Sequence, residues 1–333
     1  MNIYDVSKRA GVSIATVSRV LNGNTNVSEK TKQKVLAVME EIGYTPNIFA
    51  RGLGLNTMKT IGIMCADSSD PFLANAVYYL EQELRKNGYD SFLCCSGYEL
   101  SNKQKSLGLL LSKHIDAVIL VGSNFLESNK TDNSYIINAA EKVPVMLING
   151  YLNNNNIYCT LCDDYQATYD ATTLLLEQGR QNIVYLYTSK SYSGIQKLNG
   201  YKMAIRDMQK TLDEAYILSC PGTVVESQKM LLAFSDDGHP FDAVIAAEDI
   251  LAVGAIKYAK DKKVSIPEDL SVIGYNNSLL AVCCEPELST IDNHVEVLSI
   301  STVNSLMRVL NGQPVPNKTM ISNDLVQRNT TNF

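Results

Sequence analysis

No apolar run approaches the roughly eighteen residues needed to cross a bilayer, although 45% of the 333 residues are hydrophobic. No charged-then-apolar signal segment follows Met1. Nothing therefore directs the chain into a membrane or out of the cell, and a cytoplasmic location is expected. A P-loop is also missing, and Gly52-Leu-Gly54 neither follows a strand nor has a third glycine. Cradling of a nucleotide phosphate is unsupported. Eight cysteines lie scattered through apolar stretches, unlike the dense framework of a small secreted domain, and are read as reduced, mostly buried thiols. Cys159 and Cys162 have zinc-ligand spacing, but no second pair of that kind and no histidine pair completes four ligands. No metal or other cofactor is expected. The adjacent carboxylates Asp163 and Asp164 lack an accompanying nucleophile, base and orienting group, which argues against an enzyme.

The chain carries a net charge of −6, which taken alone disfavours nucleic acid. Its distribution reverses that reading. Residues 1–60 hold eight Lys/Arg and four Asp/Glu, a net of +4, which leaves −10 for the other 273. A basic head on an acidic body is the footprint of a DNA module joined to a sensing or oligomerising module, because only the head must approach phosphates.

Residues 3–22 read as two short amphipathic helices joined at Gly11, the second opening at Ser13 with an almost uncharged outer face. This is the pattern of a helix-turn-helix. Val6 and Ala10 share a face of the first helix, and Val17, Val20 and Leu21 share one of the second, so a small core forms between them. Ile14, Ala15, Ser18 and Arg19 are left facing outwards. Gly11 permits the turn, and Ser13 is placed to cap the second helix. A third helix starts near Ser28, buries Val35, Val38, Met39 and Ile42, and stops at Gly43. In the segment that follows, Pro46 and Asn47 favour a helix start, while Gly52 and Gly54 each weaken a helix by roughly 1 kcal/mol. Residues 47–58 are therefore expected to form a hinge that is ordered only when something holds it.

From Thr60 onwards short apolar runs alternate with helical patterns. Ile61–Cys65 precedes a helix at Ala74–Asn87, Ala117–Val121 precedes one at Tyr135–Glu141, and Val145–Ile148 follows. A second series runs from Ile183–Tyr187 through Lys197–Gln209, Ala243–Ala247 and Ile250–Asp261 to Leu270–Ile273. The pattern predicts an α/β core of two similar lobes with parallel sheets, and a ligand crevice at the carboxyl ends of the strands. The asparagine run Asn153–Asn156 reads as a polar turn between the lobes.

These residues carry a resemblance. YDVSKRAGVSIATVSRVLNG, then VSEKT, GYTPN and ARGL, resemble the head of the LacI/GalR family of bacterial transcription regulators. The body continues it with Asp70-Pro-Phe72, HIDAVIL from His114, EQGRQNIVYL from Glu177, KLNGY from Lys197, SIPEDLSVIGYNN from Ser265 and LVQRNTT from Leu325. The resemblance implies an all-α helix-turn-helix head (1–46), a hinge (47–58) and a two-lobed core like a periplasmic binding protein (59–333). Lobe one is expected at about 60–160 plus 292–320, and lobe two at about 161–291 plus 321–333.

By the same resemblance Ile14, Ala15 and Arg19 read bases, and Thr16 and Ser18 hold phosphates. Tyr4, Tyr44 and Asn47 join the DNA-contacting set, and Leu53 wedges into the minor groove at the centre of a palindromic operator. Arginine suits guanine O6 and N7, whereas alanine offers only apolar contact, best matched to a thymine methyl. The implied effector pocket comprises Asp70, Phe72, Ser123, Asp163, Ser193, Lys197, Thr223, Glu248 and Asn276. Here the chain departs from the family pattern: Lys197 stands for Arg, Glu248 for Asn, Asn276 for Asp, and Thr223 where an aromatic is common. The expected function is a dimeric, sequence-specific repressor of a sugar-utilisation or related catabolic operon, controlled by a small polar ligand, a carbohydrate by preference. The alternatives are a regulator controlled by a partner protein or phosphorylated metabolite, or a transporter's solute-binding protein. The last is disfavoured by the basic head. Tetrameric members of the family carry a further leucine-heptad helix, and here the chain stops just after LVQRNTT, which implies a homodimer.

Overall fold

The computed structural model describes residues 2–21, 26–44 and 57–333. The expected hinge, with Asn47 and Leu53, falls largely outside them.

The head is a three-helix unit: α1 (Ile3–Ala10), α2 (Ile14–Leu21) and α3 (Glu29–Glu41). Asn2 caps α1 by accepting from the Tyr4 and Asp5 amides, while the Asp5 carboxylate takes the Asn2 amide in return. Two orphan donors are thereby satisfied reciprocally. Gly11 adopts the left-handed conformation (φ 59°) that turns the chain, and the Ser13 hydroxyl accepts from the Thr16 amide at 3.1 Å. Val6, Ala10, Val17, Val20, Val35, Met39 and Ile42 bury together, with Val38 and Leu21 packed at the edge.

The body holds two six-stranded sheets. The first contains β1 (Thr60–Cys65), β2 (Asp90–Cys95), β3 (Ala117–Val121), β4 (Val145–Ile148), β5 (Ile157–Cys162) and, from near the chain end, β11 (Lys318–Ile321), in the order β11-β5-β4-β3-β1-β2. The second contains β6 (Ile183–Tyr187), β7 (Ile217–Ser219), β8 (Ala243–Ala246), β9 (Ser271–Tyr275), β10 (Ser289–Asp292) and β12 (Asp324–Val326), in the order β12-β10-β9-β8-β6-β7. Every pairing is parallel except that of β12 on β10. Helices cover both faces of each sheet, so β1, β3, β4, β8 and β9 are buried along their whole length. Strands of that kind read as continuous apolar runs and not as alternations.

The chain changes sheet three times, after Cys162, Asp292 and Ile321. Boundaries placed near 160, 292 and 320 therefore fall within β5, β10 and β11. Asn153–Asn156 joins β4 to β5 within one sheet and does not connect the lobes, which corrects the reading from composition. The helix expected from Lys197 starts earlier, at Tyr192, because the Ser191 hydroxyl caps it by accepting from the Gly194 amide.

Two helices of lobe two, Asp164–Glu177 and Tyr192–Asp207, pack backbone to backbone at Gly200. A Cβ there runs into the carbonyl oxygen of Tyr165 and lies 3.0 Å from the Tyr169 amide nitrogen. Neither helix backbone can move aside cheaply. Gly200→Ala is expected to destabilise the protein by about 1–3 kcal/mol, the usual cost of overpacking, measured by urea unfolding. A midpoint unchanged from the parent would refute this close approach.

Candidate functional site: a DNA-facing helix and an inter-lobe cleft

On the head, α2 turns Ile14 and Ala15 outwards, with Ile14 39% exposed. Arg19 stands exposed one turn further along, and Thr16 and Ser18 are half-buried beside them. Thr16 is held by its neighbour, its hydroxyl lying 2.9 Å from that of Ser13. Tyr4, 65% exposed, projects from the first turn of α1. Tyr44 is half-buried against the head core, and its amide donates to the Met39 carbonyl. The helix thus offers one guanidinium, a strong donor fork, among small apolar and hydroxyl groups.

Between the lobes lies a cleft of about 540 Å³. It is built as open parallel sheets require, from loops leaving the carboxyl ends of strands. After β1 come Asp67, Ser69, Asp70 and Phe72; after β2, Tyr98; after β3, Ser123 and Asn124. From lobe two, Thr188 and Ser191 follow β6, Glu248 follows β8 and Asn276 follows β9, with Ser193 and Lys197 on the helix after β6. Asp164 and Asn293 come from the first two crossings. Across the cleft the Ser123 hydroxyl donates to that of Ser191 at 2.8 Å, tying the two lobes together.

Seven of the nine pocket residues expected from sequence line this cleft: Asp70, Phe72, Ser123, Ser193, Lys197, Glu248 and Asn276. Asp163 and Thr223 do not. Both are helix N-caps, the Asp163 carboxylate accepting from the Gln166 amide and the Thr223 hydroxyl from the Glu226 amide. Their neighbours Asp164 and Gly222 take the cleft positions. In the pair Asp163-Asp164 one carboxylate ends a helix and the next turns inward, a division that an adjacent-acid motif does not reveal. Asp70 serves both purposes, capping the helix Pro71–Lys86 through the Leu73 amide at 2.9 Å while facing the cleft. No local pattern in the sequence marks Asp67, Tyr98 and Asn293 for the cleft.

The floor is a buried polar chain. The Tyr275 hydroxyl donates to Asp164 at 2.6 Å and accepts from the Asn323 amide at 2.7 Å. The Lys197 ammonium sits 3.5 Å above the Tyr275 ring and donates to the Ala247 carbonyl at 3.0 Å. Asn293 donates to Asn276 at 2.8 Å. Its own side-chain oxygen Oδ1 is buried without a partner, an acceptor facing the cost of an unmade hydrogen bond.

Four carboxylates line the cleft against one ammonium. Burial raises the pKa of Asp164, Asp70 and Glu248, opposed at Asp164 and Glu248 by hydrogen bonds and by the charge of Lys197. Glu248 is also bound by the Thr188 hydroxyl at 2.6 Å. Asp67, outside the buried part, is lowered instead by the amide and hydroxyl of Ser69. The cysteines of the Cys159-x-x-Cys162 motif pack into different cores on opposite faces of their sheet. One ion cannot reach both.

Residues 2–47 match the family described as bacterial regulatory proteins, lacI family, and residues 58–329 match periplasmic binding proteins and sugar binding domain of LacI family. The chain belongs to the LacI family. An HTH-type transcriptional regulator of Lachnoclostridium phytofermentans is 68% identical over 333 residues, all of both chains. AscG of Escherichia coli K12 is 31% identical over 98% of this chain and 97% of that one, and the catabolite control protein A of Priestia megaterium 30% over 95% and 94%. Among solved structures, the lac repressor dimer bound to operator and the anti-inducer ONPF covers 99% of each chain with a TM-score of 0.88 at 23% identity. The protein is a helix-turn-helix, DNA-binding transcription regulator with an effector-binding core, and not an enzyme. No helix among the described residues is long and apolar enough to cross a membrane.

The raised pKa of Glu248 has a thermodynamic sign. Its ordinary value is 4.5, and burial lifts it. The unfolded chain gives up this proton first, so above 4.5 the folded protein holds more protons and stability falls as pH rises through the raised value. Glu248→Gln, which cannot ionise, is expected to melt higher than the parent at about pH 7 and to lose that advantage at about pH 4. Scanning calorimetry at the two pH values decides it; an advantage that grows towards acid pH would contradict the burial account.

Proposed function

We propose that this regulator is a cytoplasmic homodimeric repressor of a sugar-utilisation or related catabolic operon, released or retained on a palindromic operator by a carbohydrate bound between its lobes. The observation that carries the ligand class is the cleft's inventory: surplus acceptors and negative charge, with its single ammonium already engaged by Ala247 and the Tyr275 ring. Hydroxyl-rich neutral molecules bring donors to those acceptors without adding charge. A phosphorylated metabolite meets four carboxylates first, and like charges brought together in a half-buried space repel strongly. Phe72 and Tyr98 offer apolar surface for a sugar ring, so the absence of an aromatic at Thr223 does not strip the cleft of stacking groups. Similarity to a catabolite control protein and to the transcriptional regulator CelR in its cellobiose complex supports the carbohydrate reading. The lac repressor dimer on its operator supports the assembly, and a chromosome-binding protein acts in the cytoplasm.

For DNA reading we assign Arg19, with Ile14 and Ala15, to base edges, and Tyr4, Thr16, Ser18 and Tyr44 to the backbone; Asn47 and Leu53 complete the set as an expectation. Arg19→Ala should cost roughly 1–3 kcal/mol and relax specificity at one symmetric pair of positions, whereas Lys8→Ala should weaken all sequences alike. Binding to a panel of mutated operator sites at fixed salt distinguishes the two, and a uniform loss for Arg19→Ala would sink the assignment.

For the cleft, a thermal-shift screen of neutral sugars, sugar phosphates and nucleosides identifies the ligand class. Neutral sugars should stabilise the protein, and Lys197→Ala should eliminate that ligand-induced rise. A response confined to phosphorylated compounds would overturn the neutral-sugar reading. Light scattering at micromolar concentration should report a dimer, and a stable tetramer would contradict the assembly.

A further inference from the structure

The sulfur atoms of Cys65 and Cys95 lie 3.7 Å apart, in direct contact. They end β1 and β2 as direct partners in the parallel register. Adjacent strands run roughly 4.8 Å apart, within the Cα separation of about 4.4–6.8 Å that a disulfide spans. The two thiols differ sharply in setting: Cys65 is buried and Cys95 is exposed on the outermost strand of its sheet. Cys94, the next residue, packs against the core on the opposite face and cannot substitute.

We propose that Cys65 and Cys95 are an oxidisable pair that forms a reversible disulfide with a peroxide as oxidant, and that this bond acts on the effector cleft. The exposed Cys95 thiolate attacks hydrogen peroxide; the O–O bond breaks as the S–O bond forms, and hydroxide leaves. The Cys65 sulfur then displaces the sulfenic oxygen of Cys95. The S–S bond forms, the S–O bond breaks, and the departing hydroxide carries off the Cys65 proton as water. Two electrons pass from the thiol pair to the peroxide. The order of events follows from burial, since the Cys65 thiol is pushed up to about 12 by desolvation and by Cys95 itself and stays protonated until its neighbour is activated.

The link to the cleft is direct. The Ser96 amide donates to the Cys65 carbonyl and the Gly97 amide to that of Ala66, and the strands run on at once into Asp67, Asp70 and Tyr98 of the cleft wall. Closing the sulfurs from 3.7 Å to about 2.0 Å ties the two strand ends covalently at the foot of both loops.

The experiment treats native protein with dilute hydrogen peroxide, blocks remaining thiols, and maps peptides by non-reducing mass spectrometry. A Cys65–Cys95 peptide lacking two hydrogen atoms is expected in the parent and in Cys94→Ser, absent in Cys95→Ser, and reversed by dithiothreitol. Hydrogen exchange at residues 66–70 and 96–98 should slow on oxidation. Over-oxidation of Cys95 with Cys65 left as free thiol, or cross-links only between two chains, would overturn the pairing. A formed disulfide with unchanged exchange at both loops would overturn its action on the cleft.

Discussion

The cleft depends on one buried contact, the hydrogen bond from Tyr275 to Asp164. Tyr275 ends β9 in lobe two, Asp164 follows the first crossing, and Asn323, in the third crossing, completes the chain by donating to the same hydroxyl. Asp164 and Tyr275 are almost wholly buried, so an unmade bond here leaves a desolvated polar group at full cost. Lys197 caps the arrangement from above the ring, compensating the carboxylate charge where water cannot. The first and third crossings are thereby fastened to the end of β9.

The same economy governs the cleft wall. Groups that face the ligand space also hold the fold: Asp70 and Ser191 each begin a helix, Ser191 also bridges to Ser123, and Asn276 is fixed by Asn293. A ligand entering this space competes with bonds already made and completes those unmade, above all at Asn293 Oδ1. Binding is thereby coupled to how the lobes sit, because one of these bonds, Ser123 to Ser191, runs between them.

Much of this was legible in the sequence, for physical reasons that also explain the misses. Central strands such as Ala117–Val121 announce themselves because both faces are buried and every residue is apolar. The edge strand β2 is exposed over most of its length and carries no such signal, and the three-residue β7 is too short to show one. The second helix of the head is readable because its two faces differ in chemistry. In the pocket, Lys197 and Glu248 could be placed by motif, but Asp163 and Thr223 could not be told from Asp164 and Gly222. A one-residue shift at a helix start exchanges a cap for a cleft residue, and no spacing rule resolves it.

The three crossings also set an order of assembly. Lobe one needs β11 and the helix Val295–Leu310, whose Leu298, Val303 and Leu306 fill the core beneath β1 and β3. Those segments leave the ribosome only after nearly all of lobe two has been made. As the chain is synthesised, lobe one waits with an open edge at β5 and an uncovered apolar face, while lobe two needs from the far end only β12 and the terminal threonines. The later-born lobe is therefore nearer completion first, and the long-range closure that finishes the earlier one is the slow, exposed step of folding.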